Sequence, residues 1–429
     1  MKNKKETLLI LTILITICII IFNRDKLYEA KYTAPKDTLL AITINGEIST
    51  TFPTTNAYTG TVECTTGTGK VEWNGTKWVL TTNGITKGST KCNATFITKV
   101  PTFAETILAN NEVKTPITTP GAAVSTASEA LLASTEDDYG TSYYFRGAVK
   151  NNYVEFANKC WRIVRVGGDG SVKLILHNDN TTGVANPCDA ANNSASAAFA
   201  RYSGETYKSA FNANYNDNAY VGFKYGTVGA GDYALTHANT NKSTILTNLE
   251  AWYNNNLKTY ESVIDDNVWC NDKTNIADTS YNPWGYSNVT GLGYGTNKTY
   301  YGATKRLVST SGSAGGTGPS LKCNGELSKI TSKVGLITAD ELALAGYAYA
   351  KNNTTTYLQE NAPATYWYSL SPNSFIGDNA GVWFVNGSSG RFDYSYVDIA
   401  CGVRPSISLK STTNVTGEGT SSTPYIIST

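Results

Sequence analysis

The side chains of this chain that could carry out chemistry are scattered and show no recognised catalytic spacing. The 2 histidines, His177 and His237, lie far apart and in no metal-ligand spacing, so each is expected to be a surface or hydrogen-bonded histidine. No Gly-x-Ser-x-Gly motif supports a serine nucleophile. We therefore predict no catalytic residue, no metal site and no cofactor.

Neighbouring carboxylates are the remaining candidates, because hydrolysis can be carried out by a paired acid and base. The three pairs are Asp340–Glu341, Asp265–Asp266 and Glu136–Asp138. Thr338 and Glu341 form a capping-box signature, which places the first pair at a helix N-terminus, where acidic groups interact favourably with the helix dipole. Structural roles are the favoured interpretation of these pairs, and hydrolysis of cell-envelope material is the alternative.

The cysteines are expected to form disulfide bonds between neighbouring parts of the chain. The chain has 8 cysteines but no Cys-x-x-Cys pair, so a zinc ribbon or a thioredoxin-like site is unsupported. Pairing between cysteines close in sequence is the simplest arrangement for an exported protein. The predicted bonds are Cys64–Cys92, Cys160–Cys188 and Cys270–Cys323. Cys401 is then left over, and a Cys160–Cys401 bond with Cys188 free is a real alternative.

Arginines beside predicted strands form another group with possible chemistry. They are Arg146, Arg162, Arg165 and Arg404. Strand alternation places Arg162 on one face of its strand and Arg165 on the other. We interpret this group as paired structural arginines in preference to an anion-binding site.

An aromatic stretch near the C-terminus is the strongest indication of function. Residues 366–398 combine aromatic rings with asparagine, serine and glycine, as antibody loops do, and aromatic faces also stack on sugar rings. Trp367 and Trp383 are favoured as core residues of two strands, whereas the tyrosines and polar residues of 386–398 are better candidates for exposure. The predicted ligand-binding residues are Tyr368, Trp383, Asn386, Arg391, Tyr394 and Tyr396.

The overall composition excludes one class of partner. Charged residues make up 16% of the chain and the formal net charge is +1, so the concentrated basic face that nucleic-acid binding requires is missing. The polarity comes instead from asparagine, threonine, serine and tyrosine. We therefore predict β-rich domains with polar loops and no nucleic-acid partner.

The N-terminus indicates export and a membrane partner. Lys2, Lys4 and Lys5 precede an uncharged, apolar run from Leu8 to Phe22. No small-x-small cleavage site follows, so a retained signal anchor is favoured over a cleaved signal peptide. The prediction is a single-pass protein of the cytoplasmic membrane with everything after Asp25 outside, or a secreted protein if the segment is cleaved.

The remaining chain begins with a short stalk and a small β domain. The signal anchor is assigned to residues 1–25 and the β domain to residues 38–99. Apolar and polar residues alternate there, and an Asn-Gly turn lies between Trp73 and Trp78, a strong hairpin signal. We predict a small all-β unit with one disulfide bond.

A helix and a linker separate this unit from the main domain. Residues 100–138 contain a short amphipathic pattern at 102–111, followed by a stretch rich in proline, threonine and alanine. Residues 139–429 begin with strands, one of them predicted over residues 152–166. They continue through helical patterns at 241–264 and 338–350 with long loops between them, and end with strands. This order predicts an α+β main domain.

Several stretches of residues 139–429 resemble, in order, motifs of a large family of uncharacterised surface proteins from gut Firmicutes. They are SYYFRGAVKNNYVEFANKCWRIVRVGGDGSVKLIL, HANTNKSTILTNLEAWYNNNL, VGLITADELALAGYA, YWYSLSP, GVRPSISLK and GTSSTPYII. The arrangement of GLITADE, YWYSLSP, VWFVNG and GVRPSISL is in turn similar to C-type-lectin-like domains related to formylglycine-generating enzymes. The resemblance implies a C-type-lectin-like main domain with long loops.

The resemblance also implies a function. Enzymes of that group need a reactive cysteine pair or metal-bound thiolates, whereas Cys401 stands alone here, and the Glu-Pro-Asn and Trp-Asn-Asp signatures of calcium-dependent lectins are absent. The expected protein is a non-catalytic recognition or adhesion protein that binds a glycan or protein ligand through loops of the C-terminal domain. An enzyme acting on the cell envelope and a purely structural surface component are the alternatives.

Overall fold

The computed structural model describes residues 39–323 and 325–428, and the chain divides into two compact units, Met1–Val100 and Pro101–Thr429. The signal anchor predicted at 1–25 lies outside the described residues. Within the described ranges, no helix is both long and apolar enough to cross a membrane.

The first unit is built from strands in its described part. They are β1 Leu39–Ile44, β2 Glu47–Ser49, β3 Tyr58–Cys64, β4 Thr68–Trp73, β5 Trp78–Asn83 and β6 Lys91–Thr98. Four of them form a sheet in the order β2-β1-β6-β3, with β1 and β6 parallel and the other neighbours antiparallel. β4 and β5 form a separate hairpin in which Trp73 pairs with Trp78, as the Asn-Gly turn predicts.

Aromatic rings fill the core of the first unit. The ring centroid of Phe96 lies 5.1 Å from that of Phe52 and 5.1 Å from that of Trp78. A core this small needs additional support. The disulfide bond Cys64–Cys92 supplies it by joining β3 to β6 where the two residues are direct strand partners.

The second unit contains more strand than helix. Its first strands are β7 Ala130–Asp137, β8 Gly140–Gly147, β9 Tyr153–Phe156, β10 Lys159–Val166, β11 Val172–Asn178, β12 Lys208–Ser209, β13 Lys224–Tyr225, β14 Asn241–Lys242 and β15 Asn267–Cys270. The later strands are β16 Thr299–Tyr300, β17 Lys329–Ser332, β18 Trp367–Ile376, β19 Asn379–Val385, β20 Phe392–Tyr396, β21 Cys401–Gly402, β22 Ser406–Leu409, β23 Val415–Thr416 and β24 Tyr425–Ile427. The described helices are α1 Phe103–Asn110, α2 Tyr233–His237, α3 Thr244–Asn256, α4 Gly302–Leu307 and α5 Ala339–Ala345. The α+β class is confirmed.

Two sheets organise the second unit. The larger follows the order β22-β11-β10-β9-β24-β23, and β8 and β7 extend from β10. The smaller follows the order β12-β21-β18-β19-β20, with β16 paired to β18. Chain-distant strands meet in both, since β24 runs parallel to β9 and β21 runs parallel to β18.

One predicted strand is in fact a hairpin. Residues 152–166 read as a single strand in the sequence, but β9 ends at Phe156 and β10 begins at Lys159. Ala157 and Asn158 between them have φ values of 52° and 57°, which turn the chain back on itself. Arg162 and Arg165 lie on β10, whose pairing with β11 shifts register between Ile163 and Arg165.

α5 begins where its capping signature predicts, with Thr338 and Glu341 in a capping box. The structure also shows a capping box at α1, formed by Thr102 and Glu105. The side chain of Ser243 accepts the backbone N–H of Leu246 at the start of α3. α3 buries its apolar face and ends at Asn256, inside the range predicted from the sequence.

The segment predicted as a helix and linker belongs to the second unit, which begins at Pro101. α1 confirms the helix, and Phe103 and Ile107 on it are buried in the main core. The interpretation of residues 112–128 as a linker is corrected, because polar contacts hold this segment in place. Such contacts need no periodic apolar residues, so the sequence shows no core-forming pattern there. Glu129, which is 0% exposed, accepts the backbone N–H groups of Ile117 and Thr118 at 2.8 and 3.3 Å.

The predicted cysteine pairs are confirmed. The bonds are Cys64–Cys92, Cys160–Cys188 and Cys270–Cys323. Cys401 is buried and unpaired, so the alternative Cys160–Cys401 bond is wrong. Burial raises the pKa of the Cys401 thiol to about 12, which makes it an unreactive core side chain.

Candidate functional site

Two of the six predicted ligand-binding residues are buried. Tyr368 is 1% exposed and Trp383 is 0% exposed, so neither presents a ring to a ligand, whereas the interpretation of Trp367 and Trp383 as core residues is confirmed. The reason is topological: β18 and β19 are inner strands of their sheet, and their residues are buried along nearly their whole length.

Tyr368 instead positions an exposed turn. Its hydroxyl lies 2.7 Å from the carbonyl oxygen of Tyr396 and 2.8 Å from that of Ile399. These contacts hold the end of β20, where the Tyr396 side chain is 47% exposed. Tyr396 is therefore placed at the surface, as predicted, by a residue that was expected to bind ligand itself.

Tyr394 belongs to an aromatic cluster that the sequence analysis did not anticipate. Its ring centroid lies 4.9 Å from that of Trp284, and its hydroxyl lies 3.3 Å from the hydroxyl of Tyr286. The indole N–H of Trp284 donates to the hydroxyl of Tyr349 at 3.0 Å. Trp284, Tyr286 and Tyr394 are half-buried, so the cluster is a packed structural contact that is partly accessible to solvent.

Asn386 lines a groove on the surface of the second unit. The groove has a volume of about 230 Å³. Its lining residues, called the Asn386 groove below, are Pro363, Ala364, Thr365, Tyr366, Asn386 and Ser388. The first four lie just before β18 and the last two just after β19, so the groove forms where these strands begin and end side by side.

The turn that carries Asn386 is held by its own side chain. The Asn386 Oδ1 atom accepts the backbone N–H groups of Ser388 and Ser389 at 3.0 and 3.2 Å. Its Nδ2 atom has no hydrogen-bond partner within the described ranges. The oxygen side of the carboxamide is therefore used to build the turn, and the two N–H donors are available to a ligand.

Gly387 allows this turn to approach the opposite wall of the groove. A Cβ atom at this position would overlap the backbone carbonyl oxygens of Thr365 and Ala362, so no other residue fits. The carbonyl of Gly387 also accepts a hydrogen bond from the side chain of Gln359. The two walls of the groove are thus fixed against each other.

Tyr366 supplies the flat apolar surface of the groove. Its side chain is 43% exposed, and its ring centroid lies 5.1 Å from that of Phe384, which is 9% exposed. Its carbonyl accepts the backbone N–H of Gly402 at 2.7 Å. The ring is therefore exposed but held in place. The turn-like composition of Pro363–Thr365 before a strand is the sequence signal that could have indicated it.

Arg391, the remaining predicted residue, carries a compensated charge. Its Nε atom lies 2.9 Å from Asp393 Oδ2, and its Nη1 atom donates to the carbonyl of Ala350 at 2.9 Å. Its side chain is 46% exposed and it does not line the Asn386 groove. The structure therefore brings only Asn386, of the six predicted residues, into the groove.

The carboxylates Asp340 and Glu341 line a different cavity of about 40 Å³, which has room for little more than water. Glu341 Oε1 lies 2.9 Å from Arg165 Nε and 2.7 Å from Lys173 Nζ, and Asp340 Oδ1 lies 2.7 Å from Arg306 Nε. Burial alone would raise the pKa of the Glu341 carboxyl. The charges of Lys173 and Arg165 outweigh burial and lower that pKa to about 2. A carboxylate held ionised in this way is suited to fixing structure and not to donating a proton.

Both histidines are buried and held neutral. The Nε2 atom of His177 lies 3.2 Å from Asn361 Nδ2, and that of His237 lies 3.4 Å from the Tyr301 hydroxyl. Burial, with a further contribution from nearby cations, holds the pKa of His177 well below its ordinary value and lowers that of His237 to about 3. The expectation of hydrogen bonding is confirmed, and the alternative of surface histidines is wrong.

Comparisons with protein-family models, with curated proteins and with solved structures find no match to this chain. The resemblance to C-type-lectin-like domains therefore stays a prediction.

Proposed function

We propose that the second unit is a non-catalytic recognition module that binds a neutral glycan in the Asn386 groove. The protein carrying it is an exported one, anchored in the cytoplasmic membrane by residues 1–25 with the module outside. Adhesion to a glycan-bearing surface is the biological role that this arrangement would serve.

The observation that carries the proposal is the pairing of an exposed, immobile aromatic ring with a free amide donor. A sugar ring presents apolar C–H faces, which stack on an aromatic face, and hydroxyl groups at its edge, which accept hydrogen bonds. Tyr366 offers the face and Asn386 Nδ2 offers the donor. Because the Tyr366 ring packs on Phe384 and the Asn386 side chain is held by the backbone N–H groups of Ser388 and Ser389, little conformational entropy is lost on association.

The charge of the groove favours a neutral ligand. Its lining residues carry no ionisable group apart from the Tyr366 phenol, and the charge of nearby Arg391 is compensated by Asp393. An anionic ligand would find no unpaired cation there. A long peptide would need more apolar surface than one tyrosine ring and one proline provide.

The first experiment measures binding of the full chain to a glycan array, followed by calorimetry on each glycan that binds. Tyr366→Ala is expected to weaken that binding at least tenfold, about 1.4 kcal/mol, because the stacking surface is removed. Asn386→Asp keeps the Oδ1 acceptor that holds the turn but removes the Nδ2 donors, so binding should weaken while the fold is retained.

The control variant is Tyr396→Ala, which removes an equally exposed tyrosine outside the groove. It is expected to leave binding unchanged. Loss of binding in Tyr396→Ala with full binding in Tyr366→Ala would move the site to the β20 surface. Release of sugars from envelope preparations by the wild-type chain would contradict the non-catalytic proposal and favour the enzyme alternative.

A further inference from the structure

Lys273 is a buried lysine that forms no ion pair with an acidic side chain within the described ranges. It is 0% exposed. The other two buried lysines of the described chain are paired, Lys159 with Asp179 at 2.9 Å and Lys173 with Glu341 at 2.7 Å. Burial lowers the pKa of Lys273 to about 7, so its neutral amine is well populated at neutral pH. A neutral amine is a nucleophile, whereas an ammonium group is not.

Three oxygen atoms surround the Lys273 amine. Its Nζ atom lies 3.0 Å from the carbonyl oxygen of Lys224 and 2.7 Å from Asn239 Oδ1, and the third oxygen is the carbonyl of His237. A neutral amine has two protons and one lone pair. Because backbone carbonyls can only accept, those of Lys224 and His237 can take both protons. The lone pair then faces the Asn239 carboxamide.

The Asn239 carboxamide is held with its carbonyl towards this amine. Its Nδ2 atom donates to the carbonyls of Leu327 and Lys329 at 3.1 Å each, so its oxygen faces Lys273. With a C=O bond of about 1.23 Å and an angle of about 120° at the oxygen, the 2.7 Å contact places Nζ about 3.5 Å from Cγ. This separation is at the outer end of the about 3–3.5 Å that reacting atoms have in a near-attack conformer.

Asn271 supplies a hydrogen-bond donor on the same carbonyl oxygen. Its Nδ2 atom lies 3.5 Å from Asn239 Oδ1. Its own Oδ1 atom accepts the backbone N–H of Phe223 at 2.9 Å, which fixes the orientation of the side chain. A fixed donor of this kind stabilises the negative charge that develops on a carbonyl oxygen when its carbon is attacked.

We propose that Lys273 and Asn239 become joined by an amide bond after the second unit has folded. The Nζ lone pair attacks Cγ, the Nζ–Cγ bond forms, and the electron pair of the carbonyl moves to Oδ1. The carbonyl then re-forms, the Cγ–Nδ2 bond breaks, and one proton passes from Nζ to Nδ2, which leaves as ammonia. No oxidant, reductant or other co-reactant is required. This inference does not depend on the Asn386 groove.

The bond would close a loop between residues 34 positions apart in the chain. The loop contains α3, Thr244–Asn256. Such a link restricts the unfolded chain as a disulfide bond does, but reductants do not break it. The Lys273 charge disappears when the amide forms. His237 stays neutral nevertheless, because burial is the larger cause of its lowered pKa.

The test is mass spectrometry of the folded full chain, digested with trypsin after reduction of its disulfide bonds. We expect one branched peptide that contains both Asn239 and Lys273 and is lighter by one ammonia than the two linear peptides together. Recovery of the two linear peptides in full yield would overturn the proposal.

A cyclic imide at an Asn-Gly sequence, such as Asn74–Gly75, also loses ammonia and must be distinguished from the amide bond. The imide joins no second peptide and hydrolyses in mild alkali, whereas the Lys273–Asn239 bond should survive that treatment. If alkali restores the whole loss of ammonia, the proposal is wrong.

Two lysine variants provide a matched pair. Lys273→Arg keeps a buried cation but removes the nucleophile, so the branched peptide should be absent. Lys159→Arg changes a buried lysine whose charge is paired with Asp179, and it should leave the branched peptide unchanged. Loss of the branched peptide in neither variant would contradict Lys273 as the nucleophile. The wild-type digest remains decisive if Lys273→Arg does not fold.

Discussion

Arg146 and Arg404 are two fully buried arginines of the same unit, and only the first has a carboxylate partner among the described residues. The Nε atom of Arg146 lies 2.9 Å from Glu129 Oε1, and its Nη1 atom donates to the carbonyls of Ala343 and Leu344 at 3.0 Å each. Arg404 also donates to backbone carbonyls but meets no described carboxylate and keeps one nitrogen unpartnered. The first arginine is satisfied by the protein alone, and the second is not.

The partner of Arg146 is equally well satisfied. Glu129 accepts the hydroxyl of Thr118 at 2.9 Å as well as backbone N–H groups of the 112–128 segment. Burial acts to raise the pKa of Glu129, but the Arg146 charge and the Thr118 hydrogen bonds outweigh it and lower that pKa. The comparison teaches that burial alone does not define the role of an arginine. What matters is whether the fold supplies an acceptor for each donor.

The largest effect is expected from breaking the buried ion pair of Arg146 and Glu129. Glu129→Gln leaves the Arg146 charge buried without a counterion, so the free energy of unfolding of the second unit should fall by about 3–5 kcal/mol. The 112–128 segment should become sensitive to proteases at the same time. Urea unfolding and limited proteolysis of the full chain measure both. Glu136→Gln, at an exposed acid, is the control and should cost little.

Replacing each of the two arginines is expected to give losses of different size. Arg146→Met leaves Glu129 as a buried unpaired carboxylate and should cost about as much as Glu129→Gln. Arg404→Met leaves no orphaned acid, so it should cost only about 1–3 kcal/mol. Equal losses of stability for the two variants would show that the two arginines do not differ in how their charges are compensated.

A smaller effect is expected from pH. Burial, followed by the charges of Arg162, Arg404 and Lys150, lowers the pKa of His177, so the unfolded state binds a proton below pH 6.5 that the folded state refuses. The free energy of unfolding should therefore fall as the pH falls below about 6.5, by about 1.4 kcal/mol per pH unit for this one proton. His177→Gln should remove that slope relative to the wild type. An unchanged slope between pH 6.5 and 4.5 would contradict the neutral state of His177.

The same slope is expected from the second histidine, His237. Burial and the Lys273 charge lower the pKa of His237 to about 3, so His237→Gln should also remove one proton from the pH dependence. Between pH 6.5 and 5.5 the histidines contribute more to the slope than Glu341, whose ordinary pKa is 4.5 and whose pKa in the fold is about 2. If only the His177 variant changed slope, the two buried sites would differ in protonation.

The smallest effect is expected from breaking an exposed ion pair. Arg391 pairs with Asp393 at 2.9 Å with side chains 46% and 21% exposed. Arg391→Ala should change the free energy of unfolding by less than about 1 kcal/mol, because water solvates both charges when the pair is broken. The urea midpoint of this variant provides the reference for the buried arginines. A loss of unfolding free energy as large as that of Arg146→Met would contradict the exposure of the Arg391–Asp393 pair.

Much of the local structure could be predicted from the sequence. The capping boxes at Thr102 and Thr338 mark helices that begin there, and the Asn-Gly turn between Trp73 and Trp78 marks a hairpin. The disulfide pairs follow from spacing, because cysteines close in the chain meet at little cost in loop entropy. The β9–β10 hairpin escaped prediction, since Ala157 is an unusual residue at positive φ.

The candidate sites depend on residues that the chain brings together from far apart. The exposure of Tyr366 and the burial of Tyr368, two positions later, depend on what covers each part of the sheet, which alternation along β18 does not encode. The carbonyls that Arg404 binds lie 228 and 46 residues away in the chain. Local hydrogen bonds and short spacings set turns, caps and cysteine pairs, so the amino-acid sequence was enough for those. Which arginine met a carboxylate followed only from the packing of distant strands, because a buried charge is satisfied by whatever the completed fold places beside it.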